Sequence, residues 1–549
     1  MEFLLTYGSG FCGNKVEAGS VFTSSGCTMA CRGNRDQLCG GANRLQMYKL
    51  NVAPSTSSAK TTPKSSAKST VRSTTTILST TVRATTTTIT VTSTRATSTP
   101  SASAKSVSKT SSAPATSATL VSATASTPSK RAVVVHYMVG GISADWAKTD
   151  VLQAQAMGVD AFALNVVTTT ADWSNNAIKL LFDAAGAAGF KLFFSFDMTH
   201  FNDPSEFIGL LQQYYNHPAY YKPTGANYVS TFYGGTKSFG YSTANAGWQA
   251  KLKDAAKSKG INTYFVPAFD DAPVDPANFF TTFPVADGAF AWEQSWPWPS
   301  QGIANVSSTR DAAYLTAARK ASKTYMMGIA PIQFKHMGSG ANYIRRGGLN
   351  FALRIPQILS LGPDVVQIQS WNDAGESHYI GNVWSWALSG TNIGSYTDGY
   401  DHSAWQILLK PFVKAFKAGV TSVTGVVPTS GNAQGVFWHS TLMNTASCNG
   451  DPIGVPQNRN LMENKIEVAV MLASGVSGKI NVFSGGRQIA SYSAVAGLNM
   501  FEVPGMVPGT VRVEVRTNTG ALMLSGSGSK QVLADSSNCN YNPQVVALA

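Results

Sequence analysis

The run Val365–Gly381, VVQIQSWNDAGESHYIG, breaks from an apolar, alternating stretch into Trp371, Asn372, Asp373, Gly375, Glu376, Ser377, His378 and Tyr379. A strand that serves only packing has no reason to end in two carboxylates, an amide and aromatic rings. That mixture suits cleavage of a glycosidic bond. One carboxyl protonates the leaving oxygen, a second activates water, and aromatic faces hold pyranose rings. Asp373 and Glu376 stand three residues apart. In a loop their carboxyl groups can therefore lie up to about 10 Å apart, at about 3.3 Å per extended residue. That range includes the spacing a water-placing pair needs. Glu376 is the expected acid and Asp373 the expected base.

Residues of this kind need a scaffold, and residues 131–420 supply its pattern. β-rich runs at Ala132–Val139, Asp160–Val167, Lys191–Asp197, Tyr228–Tyr233, Asn262–Phe269, Gly288–Glu293, Tyr325–Pro331 and Asp364–Ser370 alternate with helical patterns. The helix candidates are Thr149–Met157, Asn176–Ala188, Ala246–Lys259, Thr309–Lys323, Asn342–Leu359 and Ser403–Lys417. The runs are apolar almost throughout, as parallel strands buried on both faces are. Eight such units predict an α/β fold, a (β/α)8 TIM barrel.

In that fold reactive groups collect at the C-terminal ends of the strands. Those ends carry His136, Asn165, Asp197, Tyr233, Asp270 with Asp271, Trp292 with Glu293, Gln333, and Trp371 with Asn372. Trp296 and Trp298 follow the sixth strand closely. Carboxylates, amides and aromatics thus recur along one rim, and His136, Asn165, Asp197, Tyr233, Asp270, Trp292, Glu293, Trp296, Trp371, Asn372, His378 and Tyr379 are the candidate sugar-binding residues. Each has a plainer reading. An Asp270–Asp271 pair caps helices well, His136 on an apolar strand fits a buried, satisfied histidine, and the tryptophans could pack beneath a loop. Asp373 and Glu376 are the hardest to explain by packing.

Composition excludes several other functions. The net charge is +13, but residues 51–130 hold nine Lys/Arg and no acidic residue, leaving 13 − 9 = +4 for the rest. Basic residues scattered through a Ser/Thr tract are solvated charges and make no groove for phosphates, so nucleic acid is not an expected partner. No stretch approaches the roughly 18 apolar residues of a membrane span. The barrel region contains no cysteine, and the chain has neither a G-x-S-x-G elbow nor an H-E-x-x-H helix. No metal or organic cofactor is expected.

Of the 80 residues in 51–130, 43 are Ser or Thr. Such a segment buries too little apolar surface to offset its ordering entropy, and the composition reads as a disordered, O-glycosylated linker over residues 50–130. Cys12, Cys27, Cys31 and Cys39 lie before it, and Cys448 and Cys539 near the other end. Even numbers at both ends fit disulfides in an exported protein. Cys448 and Cys539 are expected to join the ends of a β-sandwich at 425–549, whose strand candidates are Lys465–Leu472, Gly478–Phe483, Gly497–Val503 and Thr510–Arg516. MEFLLTYGSG has no signal-peptide pattern, so a leader is expected to lie upstream of this sequence. An extracellular or wall-associated, monomeric protein is the expectation.

Two resemblances extend this reading. Cys27-xxx-Cys31-xxxxxxx-Cys39-Gly-Gly-xx-Arg44-xxx-Tyr48 resembles the second half of a WSC domain, a fungal wall-associated module, with only four of its cysteines in residues 1–49. The resemblance implies contact with wall carbohydrate. VVVHYMVG, DAFALNV, FKLFFSFDM, VSTFYGG and WNDAGESHYIG together resemble glycoside hydrolase family 71, the fungal α-1,3-glucanases or mutanases. That family implies endo-hydrolysis of α-1,3-glucan with inversion and without a cofactor. It places the catalytic carboxylates on Asp373 and Glu376, with Asp197, Asn165, His136, Asp270 and Trp371 along the cleft. Ala374 stands where an aromatic is expected, and Glu293 where a smaller residue is common. The region of the seventh strand is poorer in tryptophan than the family pattern. Those departures bear on the sugar subsites. They keep open a barrel glycosidase for another glucan linkage, or an inactive glucan-binding protein.

Overall fold

The computed structural model describes residues 131–549 other than 339, together with the backbone of five short strands within residues 2–49. Those five, Glu2–Thr6, Ser9–Gly13, Met29–Ala30, Leu38–Gly41 and Arg44–Lys49, form an antiparallel sheet in a unit of their own. The Ser/Thr-rich tract and the pairing of the first four cysteines lie outside the described residues.

Residues 125–549 form the second unit. Its centre is a ring of eight parallel strands: β1 (Ala132–Met138), β2 (Ala161–Val166), β3 (Lys191–Asp197), β4 (Asn227–Phe232), β5 (Thr263–Phe265), β6 (Gly288–Ala291), β7 (Thr324–Ile329) and β8 (Val365–Ile368). Neighbours pair in chain order, and β8 pairs with β1 through Val365–Ala132 to Ile368–Val135. Between β5 and β6 the ring closes through Asp287 N–H to Phe265 O at 2.7 Å and Phe290 N–H to Pro267 O at 2.9 Å. Closure buries both faces of every strand, which is why AVVVHYM and AFALNV carry almost no exposed residue.

Helices wrap the ring. In α1 (Ala144–Ala156) Ser143 caps the start, accepting the Trp146 N–H at 3.2 Å. In α2 (Asp172–Ala188) Ile178, Leu181, Phe182 and Ala185 repeat at helical spacing and face the barrel, and left-handed Gly189 ends the helix. A helix absent from the sequence expectation, α3 (Ser205–Tyr214), follows β3. The Glu206 carboxylate satisfies the N–H groups of Asn202 and Asp203 at its start. Arg354 and Asp311, both fully buried, pair at 2.9 and 3.0 Å, and Arg354 also donates to the Gly328 carbonyl on β7. Those bonds satisfy charges that would otherwise be costly inside the fold.

One expected element is corrected. The helix placed over Asn342–Leu359 begins only at Asn350, and Asn342–Arg345 is a strand paired with Gln333–His336. The cause lies in the local residues: Gly347 and Gly348 interrupt the helical period. Their break frees an antiparallel hairpin to rise over the barrel mouth.

Residues 433–548 form two antiparallel four-stranded sheets. Strand Lys465–Leu472 explains its own composition. Ile466, Val468, Val470 and Leu472 pack between the sheets, while Ala469 and Met471 join the barrel's core. A strand covered on both sides loses the alternation of a solvent-facing one. Cys448 and Cys539 are joined by a disulfide with Cα atoms 5.3 Å apart.

Candidate active site

The loop after β8 folds back on itself through short hydrogen bonds. Ser370 N–H donates to the His378 carbonyl at 2.8 Å, and Asp373 N–H to Ser370 Oγ at 2.7 Å. Glu376 N–H donates to Asp373 Oδ1 at 2.9 Å. The result places both carboxyl groups over the C-terminal end of the barrel, in a cleft of about 770 Å³. His378, fully buried, stands between them: its Nε2 is 3.1 Å from Glu376 Oε2 and 3.7 Å from Asp373 Oδ2.

The hairpin supplies the rest of the cage. Gln333 donates a short hydrogen bond to Glu376 Oε2, Lys335 Nζ lies 3.1 Å from Oε1, and the Tyr343 hydroxyl donates to Oε1 at 3.4 Å. Phe334 N–H holds the Glu376 carbonyl at 2.9 Å. Burial pushes the Glu376 carboxyl up, but the His378 hydrogen bond and charge, the Lys335 charge and the Gln333 hydrogen bond outweigh it. The carboxyl is held well below the usual carboxylate range. Asp373 moves the other way: burial and the Glu376 charge raise it, against the pull of His378. Burial would lower His378, yet Asp373 and Glu376 raise it and favour the imidazolium. Two carboxyls whose surroundings push them apart suit one acid and one base.

The other expected residues divide. His136, Asn165, Asp197, Tyr233, Trp292, Glu293 and Asn372 line the cleft with Asp373 and Glu376. His136 is buried at its floor against the edge of Trp292, and burial together with the His378 charge lowers its pKa to about 3, so it is neutral. Asp197 Oδ1 accepts both the N–H and hydroxyl of Thr199, at 2.9 and 2.6 Å. Glu293 is tied to Arg345 at 2.7 Å. Asn372 clamps the end of β1, exchanging two hydrogen bonds with the Met138 backbone at 2.8 and 3.0 Å. The acceptor oxygens of Asn165 and Gln333 are buried without a protein partner, an arrangement suited to hydroxyl donors.

Five expected residues lie outside this cleft. Asp270 is half-buried and outside the cleft lining; desolvation and the Glu293 charge raise its pKa to about 8, and it accepts the Trp292 N–H at 2.9 Å. Trp371 is sealed against Phe162 and so close to Gly381 that no Cβ fits there. Trp296 is buried with its indole N–H on the Pro331 carbonyl. His378 supports the carboxylates from below. Tyr379 points away from the cleft, stacked on His402 at 4.0 Å. In their place Trp298, 41% exposed, offers an indole face at the cleft wall, with the Arg345 guanidinium 5.3 Å from its ring centre. Sequence reasoning did not select Lys335, Tyr343 or Arg345. Their signal was the alternation across Gln333–Arg345, which puts them on one face of a hairpin.

Asp373, Glu376 and His378 present ligand atoms within 4.8 Å of one another, the spacing of a small metal site. Their geometry is already accounted for by the hydrogen bond and ion pairs they share with each other and with Lys335.

A closed parallel barrel with paired carboxylates in an open polar cleft defines a glycoside hydrolase of the barrel class. Residues 129–549 match the family described as Glycosyl hydrolase family 71, and the chain belongs to that family. It is 30% identical over 423 residues to glucan endo-1,3-alpha-glucosidase agn1 of Schizosaccharomyces pombe, covering 76% of this chain and 94% of that protein. Mutanase Pc12g07500 of Penicillium rubens is 32% identical over 430 residues, covering 75% of this chain and 88% of its own length. The ascus wall endo-1,3-alpha-glucanase of Schizosaccharomyces pombe is 27% identical over 427 residues, covering 75% and 95%. Among the described residues no helix is long and apolar enough to cross a membrane.

Proposed function

We propose that this chain cleaves internal α-1,3-glucosidic bonds of α-1,3-glucan, with Asp373 and Glu376 as the reacting carboxylates of a hydrolase domain spanning residues 131–420. One observation carries the reading: the two cleft carboxyls share the buried His378 behind them and are pushed in opposite directions by their surroundings. The named activities of the relatives support the linkage. Asp373, whose hold on a proton is strengthened by burial and the Glu376 charge, gives that proton to the glycosidic oxygen as the bond from the anomeric carbon to that oxygen breaks. Glu376, kept ionised, takes a proton from the water whose oxygen bonds to that carbon. Proton exchange with solvent then restores both groups. Electrostatics thus favours the reverse of the assignment expected from sequence. Asn165 and Gln333 receive sugar hydroxyls, and Trp298 stacks on a pyranose ring.

The family resemblance implies inversion, the outcome of this single displacement by water. We read residues 425–549 as an accessory sandwich, the N-terminal module as a contact to wall carbohydrate, and the protein as a monomer acting outside the cell at the wall.

The test is incubation with a panel of insoluble α- and β-glucans, following reducing ends, product length and the anomer first released by NMR. Rapid shortening of α-1,3-glucan alone is expected. Cleavage of a different linkage, or binding without release of reducing ends, overturns the proposal.

A further inference from the structure

A second cleft, of about 890 Å³, lies on the outer side of the loop that follows β8. Leu388 lines both this cleft and the catalytic one. The divide between them is the short turn Ser385–Leu388. Ser385 faces the second cleft and Ala387 the first. Between them Trp386 is 60% exposed.

Trp386 is exposed but supported. Its ring meets the Trp146 edge with centroids 4.9 Å apart, and Trp146 stacks flat on Trp384 at 4.8 Å. Trp384 is itself tethered, its indole N–H donating to buried Asp150 at 2.9 Å. A propped indole loses little rotamer freedom when a ligand covers it. The second cleft is lined by Gln153, Asn382, Asp398, Gln406, Lys410 and Gln434, of which Asp398 and Lys410 are exposed charges, beside the partly buried faces of Trp384 and Tyr400. Amides and charges mixed with aromatic faces suit a hydroxyl-rich, ring-shaped ligand better than an apolar protein surface.

We infer that the second cleft and the Trp386 crest bind an α-glucan chain at a distance from the bond being cut. The inference rests on the proposed glucan-hydrolase reading and deepens it. Its occupant follows from continuity: a polymer leaving the catalytic cleft over Leu388 meets this surface next. Two sites on one polymer raise the effective concentration of the second once the first is filled, without any new contact at the reacting bond.

The test compares Trp386→Ala with the parent chain, and with Asp398→Ala/Lys410→Ala as a second variant inside the cleft. One arm measures retention on insoluble α-1,3-glucan in a Glu376→Gln background. The other measures KM and kcat on the polymer and on a short soluble α-1,3-glucooligosaccharide. Roughly tenfold weaker retention is expected, the loss typical of truncating an exposed aromatic anchor. KM on the polymer rises in step, and both constants on the short substrate stay at parent values. Parent-like retention by both variants overturns the inference, as does an equal loss on short and long substrates. Failure of the parent to cut α-1,3-glucan counts against the proposed reaction, while the retention arm still reads the second cleft.

Discussion

Asp373→Asn and Glu376→Gln should fail in different ways, and the difference follows from their hydrogen bonds. Asp373 Oδ1 accepts the Glu376 N–H, and the amide oxygen of asparagine can accept it as well. The loop therefore keeps its shape, and what is lost is a transferable proton. Such a loss costs about 10²–10⁴ in rate, or about 2.7–5.4 kcal/mol of barrier. Glu376 accepts from Gln333, Lys335, Tyr343 and His378. A glutamine there turns an NH₂ toward at least one donor, adding about 1–3 kcal/mol for an unsatisfied buried group. The assay is initial rate on α-1,3-glucan and on a dinitrophenyl α-1,3-glucooligosaccharide, whose leaving group needs no proton. Asp373→Asn should recover most of its activity on the activated substrate, and Glu376→Gln should recover little. Recovery by Glu376→Gln alone would refute the assignment of acid and base.

Three further outcomes are expected. Lys335→Met removes a cation that lowers both carboxyls. In the proposed roles Glu376 reacts ionised and Asp373 protonated, so both limbs of the pH–rate profile should move to higher pH, and an unchanged profile would count against the cage. Asp451 joins the hairpin to the sandwich, holding His336 Nε2 at 2.8 Å and the Cys539 N–H at 2.7 Å. Asp451→Asn should lower kcat on a short soluble substrate by more than KM changes, because the hairpin carries Gln333 and Lys335; parent kinetics would contradict this. Replacing Cys448 and Cys539 by serine opens a loop spanning 91 residues. It should cost about 4–5 kcal/mol, read as a fall in Tm.

The barrel was legible because closure leaves no strand a wet face, so eight short apolar runs stood out against helical patterns. The carboxylates were legible because a buried strand broke off into polar residues. What the pattern hid was direction and distance. Trp296 and Trp298 are two residues apart, yet the first is sealed under Pro331 and the second lines the cleft. Tyr379 neighbours His378 but faces the opposite way. Lys335 reaches Glu376 only because a hairpin folds over the mouth, and no local spacing records that contact. In the sandwich, Arg487–Ala494 and Leu522–Ser527 were missed because as strands at the sheet edges they are only partly buried and lack a clear apolar period.

Asp373 and Glu376 are the proposed agents of glucan hydrolysis in this cleft. The direct measurement is reducing-end release from linear α-1,3-glucan by the parent, Asp373→Asn and Glu376→Gln chains, with circular dichroism on each. Unchanged spectra and rates lowered at least about a hundredfold are expected in both variants. Near-parent rates in both would contradict these roles.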